Sequence, residues 1–146
     1  MFDNSQPTLV YPTYPDLAGK RVVITGGGSG IGAELVTAFS GQGARVWFLD
    51  IAEEDSRALV EALGDAPHAP RFFKCDLTDL VALTAAFRAI EEEAGAADIL
   101  LNNAANDERH EIEDVTPAYW DGRMAVNLRP TFFCAQAVIP GMKRQG

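Results

Sequence analysis

Thr25-Gly26-Gly27-Gly28-Ser29-Gly30-Ile31-Gly32-Ala33 is the stretch on which the reading of this chain turns. Before it lies an apolar run, Arg21-Val22-Val23-Ile24-Thr25, and after it Ile31, Leu35, Ala38 and Phe39 recur at helical spacing. A glycine-rich turn can carry a strand directly into a helix, because glycine adopts positive φ and offers no side chain to keep a phosphate from the backbone. The helix that follows points its free N–H groups and positive dipole end at the same place. Gly26, Ser29, Gly30, Ile31 and Gly32 are thus candidate phosphate-binding residues, with a purely structural turn as the alternative. A Walker A loop is excluded, since Ala33-Glu34 follows Gly32 where Lys and Ser or Thr are required.

Outward from this turn the same alternation repeats. Arg45-Val46-Trp47-Phe48-Leu49, Arg71-Phe72-Phe73-Lys74-Cys75 and Ile99-Leu100-Leu101 are short runs with nearly continuous hydrophobicity. Strands of a parallel sheet covered on both faces look like this. Between them, Leu59, Ala62 and Leu63 mark one helix, and Leu80, Leu83, Phe87 and Ile90 mark another. Gly43, Gly64 and Gly95 supply stops, Thr78 is the expected N-cap of the third helix, and Thr116-Pro117 opens a later one. The order β-α-β-α-β-α-β-α predicts an α/β fold of the Rossmann type, a three-layer doubly wound parallel sheet. Residues 17–146 are expected to form this unit, with 1–16 an irregular lead-in.

Asp50 closes the second apolar run. A carboxylate at this place accepts hydrogen bonds from the ribose hydroxyls of a dinucleotide; the plainer reading is a solvated charge at a strand end. It would repel a 2′-phosphate, and Gly28 places no basic side chain in the loop to receive one, so the expected cofactor is NAD.

Composition narrows the partners. The chain has 146 residues, 47% of them hydrophobic, with 12 basic against 21 acidic side chains and a formal charge of −9. That apolar share excludes a disordered chain, and the scattered Lys and Arg offer no basic patch for nucleic acid. No stretch reaches the ~18 apolar residues of a membrane span. Met1 to Pro15 carries no Lys or Arg and does not read as an export signal. Cys75 and Cys134 lack the spacing of a metal site and are expected to be buried, reduced thiols, consistent with a cytoplasmic protein.

Four stations in order resemble the short-chain dehydrogenase/reductase family. Thr25-Gly26-x-x-x-Gly30-x-Gly32 is similar to its TGxxxGxG signature. Asp76-Leu77 follows the third strand, where the family receives the adenine. Asn102-Asn103-Ala104-Ala105 is similar to its NNAG, with Ala105 replacing the glycine, which adds a methyl near the nicotinamide side and argues against positive φ there. Asn127, in Val126-Asn127-Leu128, matches the asparagine of the catalytic tetrad. The resemblance implies a strand order of 3-2-1-4, Asp76 and Leu77 at the adenine, and backbone of Asn103 and Ala104 beside the nicotinamide ribose. Asn102 is expected to serve as a clamp between neighbouring strands.

Tyr14-Pro15-x-Leu17-x-Gly19-Lys20-Arg21, the stretch from Phe48 to Arg57, and Asn106-Asp107-x-Arg109-His110 are similar to bacterial NAD-dependent aldose dehydrogenases of that family. The last stretch is dense in groups that bind sugar hydroxyls, and Asn106 and Asp107 are the substrate candidates; a solvated loop is the alternative. By resemblance, hydride passes from C1 of a sugar to NAD and leaves a lactone. The family's serine and its YxxxK pair are due downstream of Asn127, where the sequence holds no Ser and no Tyr. Tyr119-Trp120-Asp121-Gly122-Arg123 imitates the pair but precedes Asn127, and Tyr119 and Trp120 are expected to pack on the sheet. The resemblance therefore implies about the first three-fifths of a domain of about 250 residues, the cofactor half of an enzyme. That enzyme is expected to be a homo-oligomer when complete, and the chain alone to be inactive. The alternative is a non-catalytic NAD-binding fragment, or a partner of a full-length subunit. Without a fifth strand, Ile99 to Leu101 would be an apolar edge, and the helix bearing Phe132, Phe133 and Val138 would lose packing.

Overall fold

The computed structural model describes residues 12–146, so residues 1–11 of the expected lead-in lie outside the described part. Four strands, β1 (Arg21–Thr25), β2 (Arg45–Asp50), β3 (Arg71–Lys74) and β4 (Ile99–Asn102), alternate with helices α1 (Gly30–Gly41), α2 (Glu53–Ala62) and α3 (Leu80–Ala94). Two further helices, α4 (Pro117–Asn127) and α5 (Arg129–Gln145), follow β4. Every strand pair is parallel and the order is β3-β2-β1-β4.

The sheet is covered on both faces, and the strand sequences show why. Val22, Ile24, Val46 and Phe48 project to one side, where they pack with Val36 and partly buried Leu35, Phe39 and Leu59 of α1 and α2. Val23, Trp47 and Leu49 project to the other, against Leu83, Phe87 and Ile90 of α3 and Cys134 and Val138 of α5. Successive strand residues alternate faces, so a continuous apolar run feeds both layers at once.

Several local expectations need correction. In α1 the buried stripe is Gly32, Val36 and Ser40; Ala38 is exposed, and Ile31 is 76% exposed because it faces an open cleft. The N-cap of α3 is Asp79, not Thr78: its carboxylate accepts from the Val81 and Ala82 N–H groups at 2.9 and 3.0 Å. Thr116 caps α4 as expected, accepting from Tyr119 N–H. Tyr119 and Trp120 do not pack on the sheet. Trp120 is 57% exposed, while the partners of Tyr119 are Arg123 and His110. Among its described residues the lead-in enters a 3₁₀ turn, Pro15–Leu17, and Gln42 at the end of α1 fastens the chain before it through Pro12 O and Tyr14 N.

Candidate functional site

The carboxyl ends of the four strands border a cleft of about 750 Å³. It lies where the chain changes direction across the sheet: α1 and α2 cover one face, and after β3 the chain returns through α3 on the other to place β4 beside β1. Open α/β sheets bind ligands at this switch point. Gly26, Ser29, Gly30, Ile31, Gly32, Asp50, Asp76, Leu77, Asn103 and Ala104 all line the cleft, as does Asp107. Asn106 and Asn127 do not line it, although Val126 does.

The turn fits a close-bound anion. Gly26 sits at φ +66°, and a Cβ there would come 2.7 Å from Ala104 Cα. A Cβ on Gly32 would overlap the Gly26 carbonyl oxygen. Both positions hold backbone against backbone and tolerate only glycine. The N-terminus of α1 has no acidic residue in its first turn, and the Ser29 side chain makes no capping hydrogen bond. By contrast α2 begins Glu53, Glu54, Asp55. One helix neutralises its own dipole, while the other leaves its positive end and donors to the cleft.

Asp50 is fixed by two backbone donors. Its Oδ2 accepts from Gly28 N–H at 2.7 Å and its Oδ1 from Ala52 N–H at 2.8 Å. The carboxylate thereby ties the glycine turn to the end of β2, with lone pairs left for further donors. Asp76 is held in the same manner: Oδ1 accepts from the Thr78 N–H and hydroxyl at 2.9 and 2.7 Å, which lowers its pKa below the ordinary carboxylate value. The clamp expected of Asn102 belongs to Asn103. Its Nδ2 donates to the carbonyls of Thr25 and Gly26 at 3.1 and 2.9 Å, whereas Asn102 reaches only Thr131 O on α5 at 3.4 Å. The reason is register: Thr25 pairs with Asn102, so the next residue is the one that turns over the end of β1. The N–H groups of Asn103 and Ala104 both donate to Thr25 Oγ1 at 3.1 Å, leaving their carbonyls for any ligand. Ala105 avoids positive φ, as its methyl requires.

A model of the short chain dehydrogenase family matches residues 20–146. The chain belongs to the short-chain dehydrogenase family. It is 59% identical over 133 residues to the D-xylose 1-dehydrogenase of Caulobacter vibrioides, covering 91% of this chain and 52% of that protein. It is 49% identical over 140 residues to a probable galactose dehydrogenase of Rhizobium meliloti, covering 95% and 55%. The crystal structure of an NADH-dependent reductase complexed with NAD superposes with a TM-score of 0.81 at 28% identity, covering 90% of this chain and 55% of that one. The chain thus spans about half the length of the relatives it matches. A nicotinamide cofactor is what members of this family bind.

Beside the cleft, the loop after β4 is organised from α4. The Asn127 side chain pairs with the backbone of Asn106, accepting from N–H at 2.7 Å and donating to the carbonyl at 3.0 Å. Arg123 donates to the Asn106 and Glu108 carbonyls and, at 2.6 Å, to both Glu108 Oε2 and the Tyr119 hydroxyl. The Tyr119 hydroxyl also lies 2.8 Å from His110 Nδ1. Arg123 and Thr25 are the positioning residues that motif reading passed over. The i,i+4 spacing of Tyr119 and Arg123 was the available signal for the first; the second needed the strand register. Cys75 and Cys134 share one core, where burial pushes the thiols up to about 11 and about 12, so both stay protonated at neutral pH.

Proposed function

We propose that this chain is the cofactor-binding portion of an NAD-dependent sugar dehydrogenase that oxidises the C1 hydroxyl of an aldose to a lactone. The observation that carries the NAD preference is Asp50, held at the cleft by Gly28 and Ala52 N–H with lone pairs to spare. In this reading Gly26, Ser29, Gly30, Ile31, Gly32 and the N-terminus of α1 hold the pyrophosphate. Asp50 accepts from the adenosine ribose hydroxyls, and a 2′-phosphate there would meet a fixed negative charge. Asp76 accepts from the adenine amino group with Leu77 along the ring, and the carbonyls of Asn103 and Ala104 flank the second ribose. Bound NAD supplies the hydride acceptor. Asp107 binds a sugar hydroxyl, Asn106 shapes the loop that presents it, and Asn127 orders a water for proton transfer. The sugar assignment is supported by the xylose and galactose relatives. The complete enzyme is read as a cytoplasmic homo-oligomer acting on a small sugar, with neither nucleic acid nor membrane as partner. No helix of the described residues is long and apolar enough to cross a membrane.

A fluorescence titration tests the reading. The chain should bind NADH more tightly than NADPH, and Asp50→Ala should weaken NADH at least ten-fold, as loss of a charged acceptor does. Equal binding of both nucleotides by the unaltered chain would overturn the NAD assignment. A second reading is NAD binding without turnover. A sugar-oxidation assay run on the same sample separates the two: turnover by this chain alone excludes the second.

A further inference from the structure

We infer that Glu53 determines cofactor specificity by holding Lys74 away from both Asp50 and the ribose 2′ position; the inference rests on the cofactor reading above. Lys74 is the register partner of Asp50 across the β2–β3 ladder. Register partners on parallel strands project to the same side of the sheet, so an ammonium stands on the strand next to the ribose-binding carboxylate. Left to itself, Lys74 has two ways to spoil the preference for NAD. It can pair with Asp50 and occupy the lone pairs meant for ribose hydroxyls, or it can receive a 2′-phosphate.

Glu53 blocks both. It opens α2 immediately after Ala52, whose N–H anchors Asp50 Oδ1. Its Oε2 accepts from Lys74 Nζ at 2.7 Å, and its Oε1 accepts from Arg57 Nη2 and Nε at 2.8 and 3.1 Å. One carboxylate thus engages both cations. Those hydrogen bonds, from Lys74 first and Arg57 second, lower the Glu53 pKa below its ordinary value and keep it ionised at neutral pH. Asp50 consequently keeps only its two backbone donors among the described residues. A 2′-phosphate arriving there meets the Asp50 carboxylate, with Lys74 and Arg57 already committed to Glu53.

The test is a pair of NADH and NADPH fluorescence titrations on the full chain and on Glu53→Gln, Lys74→Ala and the double variant, with circular dichroism to verify folding. Glu53→Gln keeps the side-chain volume but surrenders the charge. It should lower the ratio of the NADPH to the NADH dissociation constant roughly five-fold, the scale of one exposed ion pair to phosphate. Adding Lys74→Ala should return the ratio to that of the unaltered chain. An unchanged ratio in Glu53→Gln overturns the inference while leaving the cofactor reading intact. So does a gain that persists without Lys74, because lost negative charge alone would then explain it. Failure of the unaltered chain to bind either nucleotide overturns the cofactor reading and this inference with it.

Discussion

Ser40 is fully buried on the inner stripe of α1, and its hydroxyl has no hydrogen-bond partner among the described residues. Thr37, one position off that stripe, back-bonds to Ala33 O at 2.9 Å and stays satisfied. A buried hydroxyl without a partner carries its desolvation cost uncompensated. Ser40→Ala removes that cost and leaves the backbone and the helix propensity no worse. The variant should be neutral to more stable, by up to about 1 kcal/mol, in a urea titration; a loss of stability would reveal a partner for the hydroxyl. The residue scale is also where the sequence is least legible. Thr78 and Asp79 are both good N-caps, and Asn102 and Asn103 are both good clamps. In each pair the choice fell to which backbone turns over which strand end, a property of register that no single residue type encodes.

Elements are joined here by a few well-made polar ties, and the firmest joins β1 to the turn before β4. Arg21 Nε and Nη2 donate to Asp98 Oδ2 and Oδ1 at 2.8 and 2.9 Å, Arg21 N–H donates to Oδ2 at 2.8 Å, and Asp98 N–H returns a bond to Arg21 O at 2.9 Å. The Arg21 hydrogen bonds hold the Asp98 carboxyl down to about 2 against burial, which opposes them. Because the folded value lies below the unfolded one, this tie is fully present above about pH 4. It is lost as pH falls through about 2. Asp98→Asn should cost about 1–2 kcal/mol at neutral pH. The gap in urea midpoint between it and the parent should close on acidification from about pH 4 towards pH 2. A gap independent of pH would show that the pairing is steric rather than ionic. At this scale the sequence was highly legible. The four strands fall within a residue of their apolar runs, since β1 and β2 are buried on both faces and the edge strands keep apolar centres, with polar Arg71, Lys74 and Asn102 at their ends. The loop after β4 was opaque, because Arg123, Tyr119, His110 and Asn127 meet only once α4 has folded back over it.

At the scale of the whole molecule, α5 presents an apolar surface that the other described elements leave uncovered. Along α5 the inner stripe is spent on the core, with Cys134 and Val138 buried and Phe133, Ala137 and Met142 packed against them. On the outer side Phe132 is 63% exposed, and Leu128 before it and Ile139 after it are exposed at 62% and 43%. These three lie at i, i+4 and i+11 from the N-cap of α5 onward, and α5 packs on β4, whose Ile99, Leu100 and Leu101 are only half-buried. Beside an open strand edge, an exposed stripe of this kind drives association, whereas the net charge of −9 opposes it at long range. The two effects separate by salt. Screening weakens the repulsion between chains and leaves apolar contact untouched. Sedimentation velocity should therefore show concentration-dependent association that strengthens as ionic strength rises. Phe132→Asp, which places a charge at the centre of the stripe without touching the core, should shift the distribution towards monomer. Association that weakens with salt would assign the contact to charged groups, and an unchanged distribution in Phe132→Asp would remove the α5 face from it.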